Sequence, residues 1–145
     1  MSEASMRSAI EYRLQQSMQV ETPPIPVFFE NTKGTKPEKK SYVEFTILAG
    51  NSRRANLGDR DKGVIRTVRH VGVLQIDVMA PKDTGMGTGL RLAERCAALF
   101  DEWVHALPDN ATVHFKTPKV TTMGVAGEFQ RFTASIPYWR DENSR

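Results

Sequence analysis

Between Leu90 and Leu107 the apolar residues Leu92, Ala93, Cys96, Leu99, Phe100, Trp103, Val104 and Leu107 recur with helical period, while Arg91, Glu94, Arg95, Glu102 and His105 fall opposite. A stripe this broad needs a wide apolar surface to cover it, and the flanking sequence supplies strands. Tyr42 to Leu48 alternates, with Val43, Phe45 and Ile47 on one face and Glu44 and Thr46 on the other. Val64 to Ala80 is a long β-prone stretch in which Leu74, Ile76, Val78 and Ala80 share a face and Gln75 and Asp77 look away. Gly72 near its middle marks a bulge or bend, so the stretch reads as one bent strand or two. Two more strands are expected near Thr112 to Thr122 and Glu128 to Tyr138, with Phe132, Ala134, Ile136 and Tyr138 aligned and Pro137 relegating the end of the second to an edge.

At the N-terminus Met6, Ile10, Leu14 and Met18 recur every four residues, which predicts a helix over Ser2 to Met18 with Ser2 as N-cap and Pro23 and Pro24 as its stop. Ile25 to Glu30 then reads as a short strand. Two segments have loop composition and are expected to be exposed and mobile: Asn31 to Lys40 and Gly50 to Gly63. The order of helix, strands, helix and strands, without internal repeat, predicts an α+β fold. Residues 1–145 form a single domain in this reading, a mixed or antiparallel sheet with two helices packed on one face.

The chain has 145 residues, enough for one core; a globular chain of this size buries roughly 70% of the surface its unfolded form exposes and needs no staples. The lone Cys96 has no partner for an internal disulfide, which suits a reducing compartment. No stretch approaches the ~20 apolar residues of a membrane helix, and Glu3 and Glu11 stand where a signal peptide would be cationic and apolar, so a soluble, untargeted protein with no membrane partner is expected. Charge is unevenly spread. From Lys33 to Arg69 there are ten basic residues against four acidic, and in the rest of the chain ten against thirteen. Such a division suits an acidic partner or head-to-side binding of copies of itself, although lysine-rich loops are most often simply solvated. Lys33, Lys36, Lys39, Lys40, Arg53, Arg54, Arg60 and Lys62 are the candidate interface residues.

Catalytic, metal and cofactor chemistry find little support. Gly85-Met86-Gly87-Thr88-Gly89 opens a helix after a strand, as phosphate loops do, yet its glycines have neither the G-x-G-x-x-G spacing nor a Lys-Ser/Thr, Leu90 standing in that place. The alternative is a flexible turn with Thr88 as cap. His70, His105 and His114 are scattered, Cys96 lies on the apolar stripe as a small core residue, and no nucleophile or zinc motif occurs. Asp77 is a general base on one reading and a solvated or subunit-facing carboxylate on the favoured one. The sequence therefore predicts no enzyme and no cofactor. Direct nucleic-acid binding through Arg53, Arg54 and Arg60 lacks the interleaved aromatics of base-stacking modules, since Phe45, Phe100 and Phe132 fall on core faces.

The run His70-Val-Gly-Val-Leu-Gln-Ile-Asp-Val-Met-Ala-Pro, the glycine turn, Gly89-Leu-Arg-Leu-Ala-Glu-Arg-Cys-Ala-Ala-Leu-Phe and the closing Phe132-Thr-Ala-Ser-Ile-Pro-Tyr-Trp-Arg-Asp resemble the tail-terminator-like family of long-tailed bacteriophages. The N-terminal helix and the strands Ile25 to Glu30 and Tyr42 to Leu48 fall where that family has them, so the resemblance spans nearly the whole chain. It implies a structural virion protein, assembled in the host cytoplasm, that forms a hexameric ring on the head-proximal end of the tail tube and stops its polymerisation. The implied partners are copies of itself, the tail tube protein and a head–tail connector or stopper protein, with DNA at most passing through the lumen. A head–tail connector or other tail-completion subunit is the alternative. The resemblance carries over no catalytic residue, and it leaves the loops Asn31 to Lys40 and Gly50 to Gly63 to face tube, neighbour or lumen.

Overall fold

The computed structural model describes residues 2–21, 24–29, 40–54, 66–82, 87–106 and 112–144. In chain order the elements are α1 (Ser2–Gln19), β1 (Val27–Phe28), β2 (Tyr42–Arg54), β3 (Arg66–Pro81), α2 (Gly87–Phe100), β4 (Val104–Ala106), β5 (Thr112–Phe115), β6 (Lys119–Ala126) and β7 (Phe129–Ser144). One seven-stranded sheet runs β1-β2-β3-β7-β5-β4, with β6 also paired to β7. Among the described residues only β1 is parallel to its neighbour; every other pair is antiparallel. The α+β reading is correct, and both helices feed one core.

The period-2 alternation decides which face is inside. One row across the sheet, Phe45, Ile76, Ala134 and Val120, looks toward the helices, and the next row, Glu44, Asp77, Thr133 and Thr121, looks away. Phe45, Ile76 and Ala134 are buried, together with Val43, Ile47, Leu74, Val78, Phe132 and Ile136. Met6, Ile10, Leu14 and Met18 of α1 are all at 0% exposure, as the four-residue spacing requires, and Leu92, Ala93, Cys96 and Phe100 of α2 join them in the same cluster. The helices do not share one flat face as expected. The sheet is long and curls, and while α2 lies along β3 and β7, α1 sits beside α2 and β1. The two helices run antiparallel: Arg13 Nε donates to the Leu99 carbonyl at 2.6 Å, Arg95 Nε to Ser17 Oγ at 3.2 Å, and Arg95 pairs with Glu21 at 2.9 Å.

Several boundaries differ from the sequence reading. The helix over Leu90 to Leu107 starts at Gly87 and ends at Phe100, because Glu102 takes a left-handed conformation (φ 54°) and the Trp103 N–H closes on the Phe100 carbonyl at 3.3 Å. Trp103 leaves the helix, and Val104 to Ala106 form an edge strand instead. Residues 50–54 of the expected loop belong to β2, which pairs with β3 as far as Arg54 opposite Val68. The bulge anticipated at Gly72 lies in β2 across from it, between Ala49 and Ser52. Gly72 itself is needed for close approach: a Cβ there would sit 2.6 Å from the Tyr138 hydroxyl and 2.7 Å from the Leu48 carbonyl oxygen. The strand expected at Thr112 to Thr122 is two, β5 and β6, broken around Pro118. Of the described part of Ile25 to Glu30, residues 25–29, only Val27 and Phe28 are strand, and Ser2 lies within α1 rather than outside it.

The strand containing Pro137 is central rather than an edge, and it runs on to Ser144. The Pro137 carbonyl accepts from Lys116 N–H at 2.8 Å, on the side where β5 stops at Phe115 opposite Tyr138 and β6 begins at Lys119 opposite Ser135. Nitrogen and carbonyl of one strand residue face the same side, so the missing N–H of Pro137 points at the gap between β5 and β6, where no ladder bond is lost.

Candidate interaction surfaces

Of the basic residues singled out, Lys33, Lys36, Lys39, Arg60 and Lys62 lie outside the described residues, as do residues 31–39 and 55–63 of the expected loops. Lys40 is exposed just before β2. Arg53 and Arg54 occupy β2 rather than a loop, opposite Arg69 and Val68. Part of the charge division closes within the chain. Arg69 donates to Asp141 through Nε at 2.8 Å and Nη2 at 3.0 Å, and His70 Nε2 lies 3.0 Å from Glu142. The hydrogen bond from Arg69 holds the Asp141 carboxyl below the usual carboxylate range.

That ion pair borders an aromatic stack which the sequence reading did not single out. On the face away from the core Trp139 is flanked from its two neighbouring strands: the ring of His114, directly opposite on β5, lies 3.9 Å away and 8° from parallel, and the guanidinium of Arg69, two residues along β3 from the position opposite, sits 4.1 Å over the indole. The stack draws on β5, β7 and β3, three strands far apart in sequence, so only the register reveals it.

Asp77 is a cross-strand pin. It accepts from Thr133 Oγ1 at 2.7 Å, from Arg131 at 3.2 and 3.1 Å and, more loosely, from Gln75 at 3.4 and 3.3 Å, at 8% exposure. Its oxygens are occupied by neighbours in the same sheet, so the solvated or subunit-facing carboxylate expected from the sequence is instead a buried one, bonded within the chain. Cys96 is at 0% exposure and burial pushes its thiol up to about 12, so it stays protonated inside the core. Among the described residues no three metal-ligating side chains come together, and no helix is long and apolar enough to cross a membrane.

The glycine turn is explained by packing at one of its positions. A Cβ on Gly89 would lie 2.3 Å from Phe132 Cε2, 2.8 Å from Phe132 Cδ2 and 3.1 Å from the Ala80 Cβ, so a bare backbone lets the first turn of α2 settle on β3 and β7. Residues 83–86 lie outside the described residues, and Thr88 is already helical.

Two apolar features remain on the surface. A groove of about 1030 Å³ is lined by α1 residues including Ala4, Ser8 and Tyr12 and by Leu99, Trp103 and His105. Trp103 forms a fixed wall of it, stacked on Phe115 at 5.4 Å and covered by the Arg13 guanidinium at 4.4 Å. The apolar character of Trp103 was legible in the sequence, but its place outside α2 was not. The second feature is β6, where Met123 is 53% and Val125 63% exposed.

No curated protein is significantly similar in sequence. Eight chains of solved structures match significantly. One of them, which bears no descriptive name, is 25% identical and superposes with a TM-score of 0.70 over 97% of this chain and 95% of its own. The family model described as "Phage tail terminator protein" matches residues 5–138, from the second turn of α1 into the middle of β7. The chain therefore belongs to the phage tail terminator protein family, and it is a structural component of the phage tail and so of the virion.

Proposed function

We propose that this protein caps the head-proximal end of the tail tube as a homohexameric ring, stops tube polymerisation and presents the surface on which the head connector docks. The observation that carries this reading is the match of the terminator family model across residues 5–138. Termination needs no bond chemistry. A ring seated on the growing end occupies the face that the next tube ring would use, and growth stops by competition. Ring formation needs two different patches on each subunit whose rotation closes the circle. The partners in this reading are further copies of the chain, the tail tube protein and a connector or stopper protein, while DNA passes through the lumen without sequence readout.

Electron microscopy of particles assembled without this protein tests the proposal. Tubes of uncontrolled length lying apart from filled heads are expected. Tails of normal length separated from heads would point instead to a connector or tail-completion subunit, and normal virions would refute both. Arg53→Glu with Arg54→Glu, at the far end of β2, is expected to weaken docking or ring closure while the melting temperature stays close to wild type. Normal assembly by this double variant would remove these two arginines from the interface.

A further inference from the structure

The solvent side of α1 is unusual for a surface helix. Its exposed residues between positions 4 and 19 are Ala4, Ser8, Tyr12, Gln15, Gln16 and Gln19, none of them charged. Solvent-facing helix sides normally carry charge, and its depletion around an exposed aromatic is the composition of an interface centre. Tyr12 is 67% exposed, and the neighbouring groove is lined by small α1 side chains against a pre-set Trp103. The groove is therefore already shaped before anything binds.

The opposite end of the molecule offers the complementary shape. The groove lies at the C-terminal end of α2, whereas the first turn of α2 sits over Ala80 and Phe132, beside the strand pair β6–β7. Among the described residues β6 pairs on one side only, with β7, leaving a row of backbone donors and acceptors open. Soluble proteins protect such edges with charge, yet from Val120 to Gly127 there is no charged residue, and Met123 and Val125 project from it. A register shift between Thr122 and Gly124 sets Met123 out of the ladder.

We infer that the α1 groove of one copy receives the β6 edge of the next. The occupant is a second copy because one chain carries both halves of the match at opposite ends of α2: an apolar hollow whose Arg13 is already drawn onto the Trp103 ring and the Leu99 carbonyl, and an uncharged apolar ridge. The Ser8 hydroxyl and the Gln16 amide in the groove answer the open backbone groups of β6, and Met123 and Val125 meet Leu99 and Trp103. The contact joins unlike patches, so it propagates from copy to copy until it closes. This inference rests on the ring reading above and names the two surfaces that would make the ring.

The test uses two variants at exposed positions, Ser8→Glu in the groove and Val125→Glu on the ridge, each of which buries a charge only on association. Sedimentation is measured for the wild type, each variant alone and an equimolar mixture. The wild type is expected to associate beyond the dimer as concentration rises, and each variant alone to associate at least tenfold more weakly. The mixture is expected to stop at a dimer, because it contains one intact groove and one intact ridge. A wild type that stays monomeric up to millimolar concentration, a mixture that stays monomeric, or variants that associate like the wild type would each overturn the inference. So would a Ser8→Glu protein that self-associates normally but no longer pellets with tail tubes, since the groove would then take the tube protein. If either variant melts below the wild type, Ala4→Glu or Met123→Glu replaces it. Association as described, with normal tail length in particles lacking the protein, would refute the terminator reading while leaving this contact standing.

Discussion

Replacing Gly89 by alanine puts a methyl group where the structure has no room. The new Cβ would stand 2.3 Å from Phe132 Cε2, more than 1 Å inside the roughly 3.5–4.0 Å of a favourable carbon–carbon contact, with the Ala80 Cβ closing the other side at 3.1 Å. Phe132 is fully buried on the central strand, so its ring cannot swing clear. Overpacking of this kind costs about 1–3 kcal/mol, and the severity of the clash argues for the upper end. Against it stands a helix-propensity gain of about 1 kcal/mol for replacing glycine. The net expectation is a loss of about 2 kcal/mol, or a melting temperature roughly 4–8 °C lower for a domain of this size. Gly87 is the control. It lies two residues earlier in the same turn, and a Cβ there meets nothing within 4 Å, so Gly87→Ala should leave stability unchanged or raise it by up to about 0.5 kcal/mol. Urea and thermal unfolding of both variants, with Gly89→Ala repeated in a Phe132→Leu background, complete the assay. The smaller side chain should recover at least about 1 kcal/mol of the penalty as a coupling energy. If both alanines stabilise, or if Phe132→Leu gives no relief, α2 does not sit on β7 as described.

Two further expectations follow from local geometry. Glu102→Gly relieves a left-handed backbone that costs about 1–2 kcal/mol for a residue with a side chain, less the greater freedom glycine has when unfolded, so stability should rise by about 0.5–1 kcal/mol; a lower melting temperature would contradict this account of the end of α2. Asp141→Asn should lower the melting temperature at neutral pH. The Asp141 carboxyl titrates below its ordinary value when folded, so its contribution is present above about pH 4 and fades as pH falls through the lower folded value. The gap between wild type and Asp141→Asn should therefore close under acid conditions, and a gap independent of pH would mean that the Arg69 pair does not stabilise the β3–β7 ladder.

Elements whose apolar spacing is local were legible in the sequence. The four-residue spacing of α1 and the alternation of Leu74, Ile76, Val78 and Ala80 each named the buried face correctly, because every residue involved has its partner within the same element's period. What escaped depended on partners distant in the chain. Residues 50–54 have loop composition, yet β3 supplies a pairing ladder for them, and tertiary context overrides propensity. Trp103 and Val104 continue the helical period of α2, and only the contact of Trp103 with Phe115 and the turn at Glu102 take them out of it. The rule that proline marks an edge failed at Pro137 because the missing donor happens to face a break between two strands. Among the interaction surfaces, the basic residues were visible as a count, but the pairing of Arg69 with Asp141 joins positions 72 residues apart. The charge-poor side of α1 needed the structure to show which residues face outward.

The central position of β7 bears on how the chain is made. Phe129 to Ser144 pairs with β3, β5 and β6, every one of which is synthesised earlier. While the chain is emerging, β2 and β3 can form a hairpin, but their inner surface has no second half to close against until position 129 and beyond have left the ribosome. Closing such distant pairings is slow, and chains waiting for them display unsatisfied strand edges. A chain cut short before β7 lacks the strand that joins both halves of the sheet, so an unfinished molecule cannot close its core and presents none of the surfaces of a finished subunit.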